Sequence, residues 1–313
     1  MTTGFIHHPV SLLHDMGDDH PESPARLQAI LDRLHASGLW PQLDVYQAPL
    51  AEDRHLLSVH LPRYLAQLRQ LAPRHGLVHA GPDTLMGPHT LEAALRAAGS
   101  GIQAVDGIMN HLYQNAFCAT RPPGHHAEPG TTMGFCFFHN LAVAARYLQR
   151  EYGVTRLAII DFDVHQGNGT AEIFRGDRDV LFISSFQHPF YPHSHWEADR
   201  HNLLYSPLPA QSGGDLMRQI WIDEWQPALR EHAPEFILLS AGFDAHAGDP
   251  MAELDWQTDD YRWLTRQIMA EARAGGARGR VISFLEGGYN TQALADSVAV
   301  HLEEMLASGH PEY

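Results

Sequence analysis

Apolar positions along this chain follow two rhythms. Short continuous apolar runs stand at residues 116–119, 157–160, 180–183, 236–239 and 281–284. They do not alternate with polar residues, which predicts strands covered on both faces. Between them the apolar residues recur at helical spacing. Ser23-Pro24 opens one such stretch, Leu27, Ile30, Leu31 and Leu34 carry it, and Gly38 stops it. Residues 61–71, 91–109, 141–152, 216–229, 261–272 and 291–306 read the same way. Strands alternating with helices imply a mainly parallel sheet with right-handed crossovers, flanked by helices in a three-layer α/β/α arrangement. Gly and Pro are scattered, and no repeat or linker interrupts the pattern, so 1–313 reads as a single domain.

Composition narrows the function. Apolar residues at 44% and charged residues at 19% are those of a globular protein, not of a disordered or fibrous one. Lys and Arg number 21 against 37 Asp and Glu, a formal net charge of −16. Such a chain repels polyphosphate, so no nucleic-acid partner is expected. No Lys/Arg run offers a grip on an anionic membrane, and no stretch approaches roughly 18 uninterrupted apolar residues. Cys118 and Cys136 make no disulfide framework, and the start of the chain lacks a basic segment followed by an apolar one. The expectation is a cytoplasmic protein. Its 23 histidines are an unusual supply of proton carriers and metal ligands.

The chemistry is concentrated just after the predicted strands. There stand Arg121-Pro-Pro-Gly-His-His126, Asp161-Phe-Asp-Val-His-Gln-Gly-Asn168, Ser184-Ser-Phe-Gln-His188, Ala241-Gly-Phe-Asp-Ala-His246 and Glu286-Gly-Gly-Tyr-Asn290. Open parallel sheets bind ligands outside the carboxyl ends of their strands, so five such loops predict one site. Asp163 and His165 lie two apart, and in extended chain such residues face the same side. Asp244 leaves another strand end and supplies a third ligand. Three protein ligands with an open position suit catalytic zinc. Two carboxylates and one imidazole also suit Fe²⁺, Co²⁺ or Mn²⁺, which leaves the metal open. A lone Asp-x-His is more often an ordinary strand end, and it is the company of Asp244 and the tandem histidines that gives it meaning.

His125 and His126 offer a base for a catalytic water and an acid for a leaving amine. Asp161 is placed to accept from one ring and Asn168 from the other. Unequal partners split the roles of two like groups. Tyr289 follows two glycines and supplies a neutral phenol for a developing oxyanion.

These segments resemble the histone deacetylase superfamily. The similarity runs, in order, through His20-Pro-Glu-Ser-Pro-Ala-Arg26, Arg121-Pro-Pro-Gly-His-His-Ala-Glu128, Gly134-Phe-Cys-Phe-Phe138, Asp161-Phe-Asp-Val-His-Gln-Gly-Asn-Gly-Thr170, Ser240-Ala-Gly-Phe-Asp-Ala-His-Ala-Gly-Asp-Pro250 and Leu285-Glu-Gly-Gly-Tyr-Asn290. The resemblance implies an arginase-like fold and one Zn²⁺ per chain on Asp163, His165 and Asp244. It makes His126 the general base and acid, His125 its electrostatic partner backed by Asp161, and Tyr289 the carbonyl polariser. Asn168, where some classes carry Asp, is similar to class II. Gly134, Phe135, Phe190 and Met251 would form the acyl-lysine channel, with Asp83 near the position that grips the substrate backbone. Arg26 would line an acetate-exit cavity. A structural K⁺ is implied on Asp161, Asp163, His165 and Ser184.

The implied substrate is an acyl-lysine protein or peptide, or a small acylated amine, and the reading is compatible with a homo-oligomer. An acetylpolyamine amidohydrolase is the rival of the same fold. The net charge favours it, whereas Met251 after the Gly248-Asp-Pro250 turn, where polyamine-type relatives carry Glu, speaks for lysine. A binuclear manganese ureohydrolase needs further carboxylates, but Gln166 and His246 stand where these would be. A non-catalytic acyl-lysine reader would have lost part of the histidine relay or Tyr289, and both are present.

Overall fold

Phe5 and Ile6 are adjacent and both fully buried, and this pair explains the layering. Neighbouring side chains of a strand face opposite ways, so burying both requires cover on both faces. The computed structural model describes residues 2–194 and 201–308. Its strands, in chain order, are β1 (Thr3–His7), β2 (Leu43–Gln47), β3 (Val78–His79), β4 (Leu85–Met86), β5 (Asn115–Cys118), β6 (Leu157–Asp161), β7 (Val180–Gln187), β8 (Leu203–Leu208), β9 (Phe236–Ala241) and β10 (Val281–Leu285). Eight of them form one sheet in the order β2-β1-β5-β10-β9-β6-β7-β8, and β3 pairs with β4 in a small hairpin. Every pairing within the large sheet is parallel.

The helices are α1 (Pro24–Ala36), α2 (Asp53–Leu56), α3 (Pro62–Leu71), α4 (Thr90–Met109), α5 (Asn140–Tyr152), α6 (Asn168–Phe174), α7 (Gly214–Ile220), α8 (Gln226–His232), α9 (Thr258–Ala274) and α10 (Thr291–Ala307). One sheet face, with Phe5, Phe117, Ile160 and Leu239, packs against α1, α7, α8, α9 and α10. The other, with Ile6, Cys118, Ile159 and Leu238, packs against α4, α5 and α6. This is the expected three-layer α/β/α architecture. No helix among the described residues is long and apolar enough to cross a membrane.

Three details depart from the sequence expectations. The helix expected over 216–229 is two helices, α7 and α8, joined by a π turn at Trp221–Trp225. Pro227 has no N–H to close the preceding turn, and Trp221 and Trp225 are both buried there. Ser23 precedes α1 as expected, but its side chain makes no capping bond. β1 and the two edge strands, β2 and β8, are not marked by the sequence pattern. β2 alternates buried and exposed positions, and β8 carries Pro207, tolerated because no strand lies beyond it.

For function the sheet order matters most. β5, β10, β9, β6 and β7 are consecutive neighbours, and the loop after each carries one of the chemistry-bearing segments.

Candidate active site and metal centre

The metal-ligand set is built at the end of β6. Asp161 is the last residue of the strand, and Asp163 and His165 follow it. Backbone bonds shape the turn. The Asp163 N–H donates to Asp161 Oδ1 at 3.1 Å, and the His165 N–H donates to Asp163 Oδ1 at 2.9 Å. Asp244, three residues past β9, accepts the Val164 N–H on Oδ1 at 2.9 Å. The loop after β10 closes over this pair, its Gly287 N–H donating to Asp163 Oδ2 at 2.8 Å. Gly287 must be glycine, since a Cβ there would stand 2.0 Å from Asp244 Oδ2 and 2.6 Å from Asp163 Oδ2.

Ligand atoms from Asp163, His165 and Asp244 lie within 4.8 Å of one another, all buried. His165 Nδ1 sits 3.1 Å from Asp163 Oδ1 and 3.2 Å from Asp244 Oδ2. One N–H cannot serve both; it is bonded to Asp163, and Asp244 Oδ2 has no hydrogen-bond partner. Burial opposes a charged His165, but the two carboxylates raise its pKa to about 10. Burial, with the charge of Asp163, raises Asp244 to about 7. Both shifts mark a site short of positive charge. A divalent cation would supply that charge, and the hard oxygen and imidazole donors fit it.

The tandem histidines come from the loop after β5. Their rings lie 4.0 Å apart, and both are buried. His125 Nδ1 meets Asp161 Oδ2 at 2.9 Å, and His126 Nδ1 meets Asn168 Oδ1 at 2.7 Å. Asn168 donates its amide to Glu128 Oε1 and to the His126 carbonyl, so Oδ1 is left as an acceptor. His126 therefore carries its proton on Nδ1, and Nε2 is the free base. Burial, with His125 and His165 nearby, holds His126 well below the ordinary histidine pKa. Burial works against charge on His125 too, but Asp163 and Asp161 outweigh it and raise that pKa well above the ordinary value. Two adjacent imidazoles are thus pushed in opposite directions.

A pocket of about 300 Å³ opens on this chemistry, lined by His126, His165 and Tyr289. Its walls are Phe135, Phe190, Tyr191 and Met251, with Gly134 and Asp83 completing them. A larger hollow of about 740 Å³ lies elsewhere, between the end of α4 and Arg278–Arg280, and holds none of these groups. Phe190 stacks on His165 at 5.5 Å, and Phe135 meets Tyr289 edge-on at 6.1 Å. Each aromatic wall is therefore braced by a residue of the chemistry beside it. Gly134 adopts a φ of +56°, and a Cβ there would strike the His126 ring. Burial pushes the Tyr289 phenol well above its ordinary pKa, so it remains a neutral donor.

Two implied residues are more occupied than their sequence suggests. Asp83 accepts the Gly134 N–H at 3.1 and 3.2 Å and the Tyr191 hydroxyl at 2.8 Å, so its carboxylate ties the pocket wall together. Arg26 is fully buried and donates to the carbonyls of Glu286 and Gly288 and to Glu22, with its guanidinium 4.9 Å from the Tyr289 ring centre. Glu22 is shared with Arg121. Ser184, opposite Asp161 on β7, is buried and its hydroxyl has no hydrogen-bond partner.

Sequence reasoning missed Tyr191, Asp249 and Glu286. Asp249 accepts the Tyr289 and Asn290 N–H groups at 2.6 and 3.1 Å. Glu286 had a visible signal, its place in the quoted Glu-Gly-Gly-Tyr segment, and Tyr191 directly follows Phe190.

Comparison with known proteins identifies the family and the fold. The profile of the histone deacetylase domain matches residues 20–305. A histone deacetylase-like amidohydrolase of Pseudomonas aeruginosa is 37% identical, over 92% of this chain and 75% of its own. A polyamine deacetylase of Mus musculus, HDAC10, is 32% identical, over 99% of this chain and 49% of its own. Among solved structures, the HDA15 HD domain superposes with a TM-score of 0.91 at 28% identity, covering 99% of this chain and 90% of that one. A profile that takes in both the tandem histidines and the Asp/His/Asp cluster, in a fold so closely shared, places this chain in the histone deacetylase family of hydrolases.

Proposed function

We propose that this protein removes acetyl, or another short acyl group, from the ε-amine of lysine in a protein or peptide. Zinc held by Asp163, His165 and Asp244 would serve the reaction, with 1–313 acting as one catalytic domain in the cytoplasm. The observation that carries the reading is the meeting of a free imidazole base, a neutral phenol and a buried cation-hungry cluster on one aromatic-walled pocket.

A bound divalent ion supplies Lewis acidity for an amide carbonyl and a lower pKa for water. The chain's own groups do the rest. His126, unprotonated at neutral pH with Nε2 exposed to the pocket, takes the proton from the attacking water. His125, hydrogen-bonded to Asp161, stabilises negative charge as it develops. Tyr289 donates its hydroxyl to the carbonyl oxygen. The tetrahedral intermediate collapses as the protonated His126 returns the proton to the leaving amine, which frees acetate and lysine. Phe135 and Phe190 exclude water along the methylene chain. Tyr289→Phe is expected to lower kcat by about 10²–10³ with metal content unchanged. Unchanged turnover would remove the phenol from the mechanism.

A second reading, an acetylpolyamine amidohydrolase, is favoured by the net charge of −16 and by the similarity to a polyamine deacetylase. Against it, Met251 gives the pocket an apolar wall. Zinc-loaded protein tested on acetyl-lysine peptides, acetylspermidine and acetylputrescine, with a chelator control, separates the two. Higher kcat/KM on the peptides is expected. Cleavage of the polyamines alone would reassign the substrate, and no cleavage of any would overturn the deacylase reading.

We also propose a structural K⁺ beside the metal centre, held by Asp161, Ser184 and the backbone of Asp163 and His165. The unpartnered buried hydroxyl of Ser184 supports it.

A further inference from the structure

Glu286 is fully buried, and its carboxylate bonds to a different strand's loop. Oε2 accepts two consecutive backbone N–H groups, Gly124 at 2.7 Å and His125 at 3.1 Å, and Oε1 accepts from Ser240 Oγ at 3.3 Å. The location explains the need. β10 and β5 pair as far as Phe284 and Cys118, and beyond that pair the ladder ends. The chain after β5 then runs through Pro122-Pro123 to the histidines, with no strand neighbour to fix it. Two buried N–H groups would be left unpaired there, which the carboxylate prevents.

The same short segment sets the rest of the site. Gly287 N–H holds the metal ligand Asp163, Tyr289 N–H is held by Asp249, and the Glu286 and Gly288 carbonyls take the Arg26 guanidinium. Base, ligand and phenol are therefore referenced to one strand end.

Building on the deacylase reading above, we propose that Glu286 is a positioning residue. By gripping the Gly124 and His125 backbone it fixes where the His126 base stands relative to Tyr289, three residues along its own segment, and to Asp163, which the Gly287 N–H of that segment holds. A carboxamide keeps the reach, offering its oxygen to the two N–H groups and its NH₂ to Ser240 Oγ. An aspartate keeps the charge but withdraws the oxygens by one methylene. Displacement of a reacting group by about 1 Å can cost 10²-fold in rate.

The test compares Glu286→Gln with Glu286→Asp in the full zinc-loaded chain. Glu286→Asp is expected to lose about 10²-fold in kcat with KM within about threefold and metal stoichiometry unchanged, while Glu286→Gln stays within several-fold of the parent. Hydrogen exchange of the peptide spanning 121–128 provides a readout that needs no substrate. Glu286→Asp should release two slow amides there and Glu286→Gln none. Equal turnover and exchange in Glu286→Asp and the parent would overturn the proposal. So would a Glu286→Gln enzyme as slow as Glu286→Asp, since charge rather than position would then be what counts. A parent protein inactive on every acylated amine would refute the deacylase reading, whereas the exchange result would still judge the clamp.

Discussion

Single residues decide the chemistry through their partners. His125 and His126 are identical side chains 4.0 Å apart, yet one faces a carboxylate and the other a carboxamide. That difference, with Asp163 beside the first, raises the pKa of one and leaves the other lowered by burial. The sequence shows this much, because Asp161 and Asn168 flank the metal ligands at short range. It does not show what Glu286 and Asp249 do, since their roles depend on neighbours 161 and 40 residues away. Gly287 is the sharpest single test of the metal centre. Gly287→Ala puts a methyl group against both ligand carboxylates, so stoichiometric zinc binding is expected to be lost, measured by mass spectrometry of the native protein. Retention of one zinc per chain would show that the loop shifts at little cost, and would contradict the close approach.

Elements were legible where their pattern was long and regular, and less so at the margins. The interior strands are continuous apolar runs, and the sequence places each within a few residues. β2 and β8 at the edges are half exposed or carry proline, and their signal is faint. The break between α7 and α8 was hidden because the apolar spacing continues through Trp221 and Trp225.

The packing of α10 on the sheet has its own consequence for acid sensitivity. His301 is buried between α9 and β10, with Nδ1 2.7 Å from Thr265 Oγ1 and Nε2 2.9 Å from Ser283 Oγ. Burial lowers its pKa to about 3. The unfolded chain, with an ordinary histidine near 6.5, therefore binds more protons between pH 6.5 and 3, and stability falls as pH drops through that window. From pH 7 to 5 this one residue should cost about 2 kcal/mol. Urea titrations of the parent and His301→Gln at both pH values measure it. The parent should lose more stability than the variant by about that amount, and equal losses would mean that His301 accepts a proton in the folded state.

At the scale of the molecule, the sequence foretold a three-layer α/β/α fold with its chemistry at one sheet edge, and the structure has it. The order of strands was not legible, since nothing local says that β10 inserts between β5 and β9. That insertion is what brings the segment of Tyr289 between the histidine loop and the metal ligands. A cation bound only by the folded chain adds to its stability by mass action. Adding a chelator to zinc-loaded protein is accordingly expected to lower Tm by roughly 5 °C or more, and replacing KCl with choline chloride to lower it further through the Ser184 site. A Tm indifferent to the chelator would deny the folded chain a tightly held divalent ion, and one indifferent to potassium would remove the second cation.

Asp83 fastens together three stretches that lie far apart in the chain: its own, the backbone of Gly134 and the side chain of Tyr191. None of the three belongs to the Asp163, His165 and Asp244 cluster that could hold a metal ion. The entrance of the pocket is consequently set by parts of the chain other than Asp163, His165 and Asp244. On the deacylase reading proposed above, exchanges at Asp83 that leave Gly134 in place, where a Cβ would strike the His126 ring, would reshape the entrance while Asp163, His165 and Asp244 keep their positions, which gives a scaffold of this kind room to diversify in what it admits.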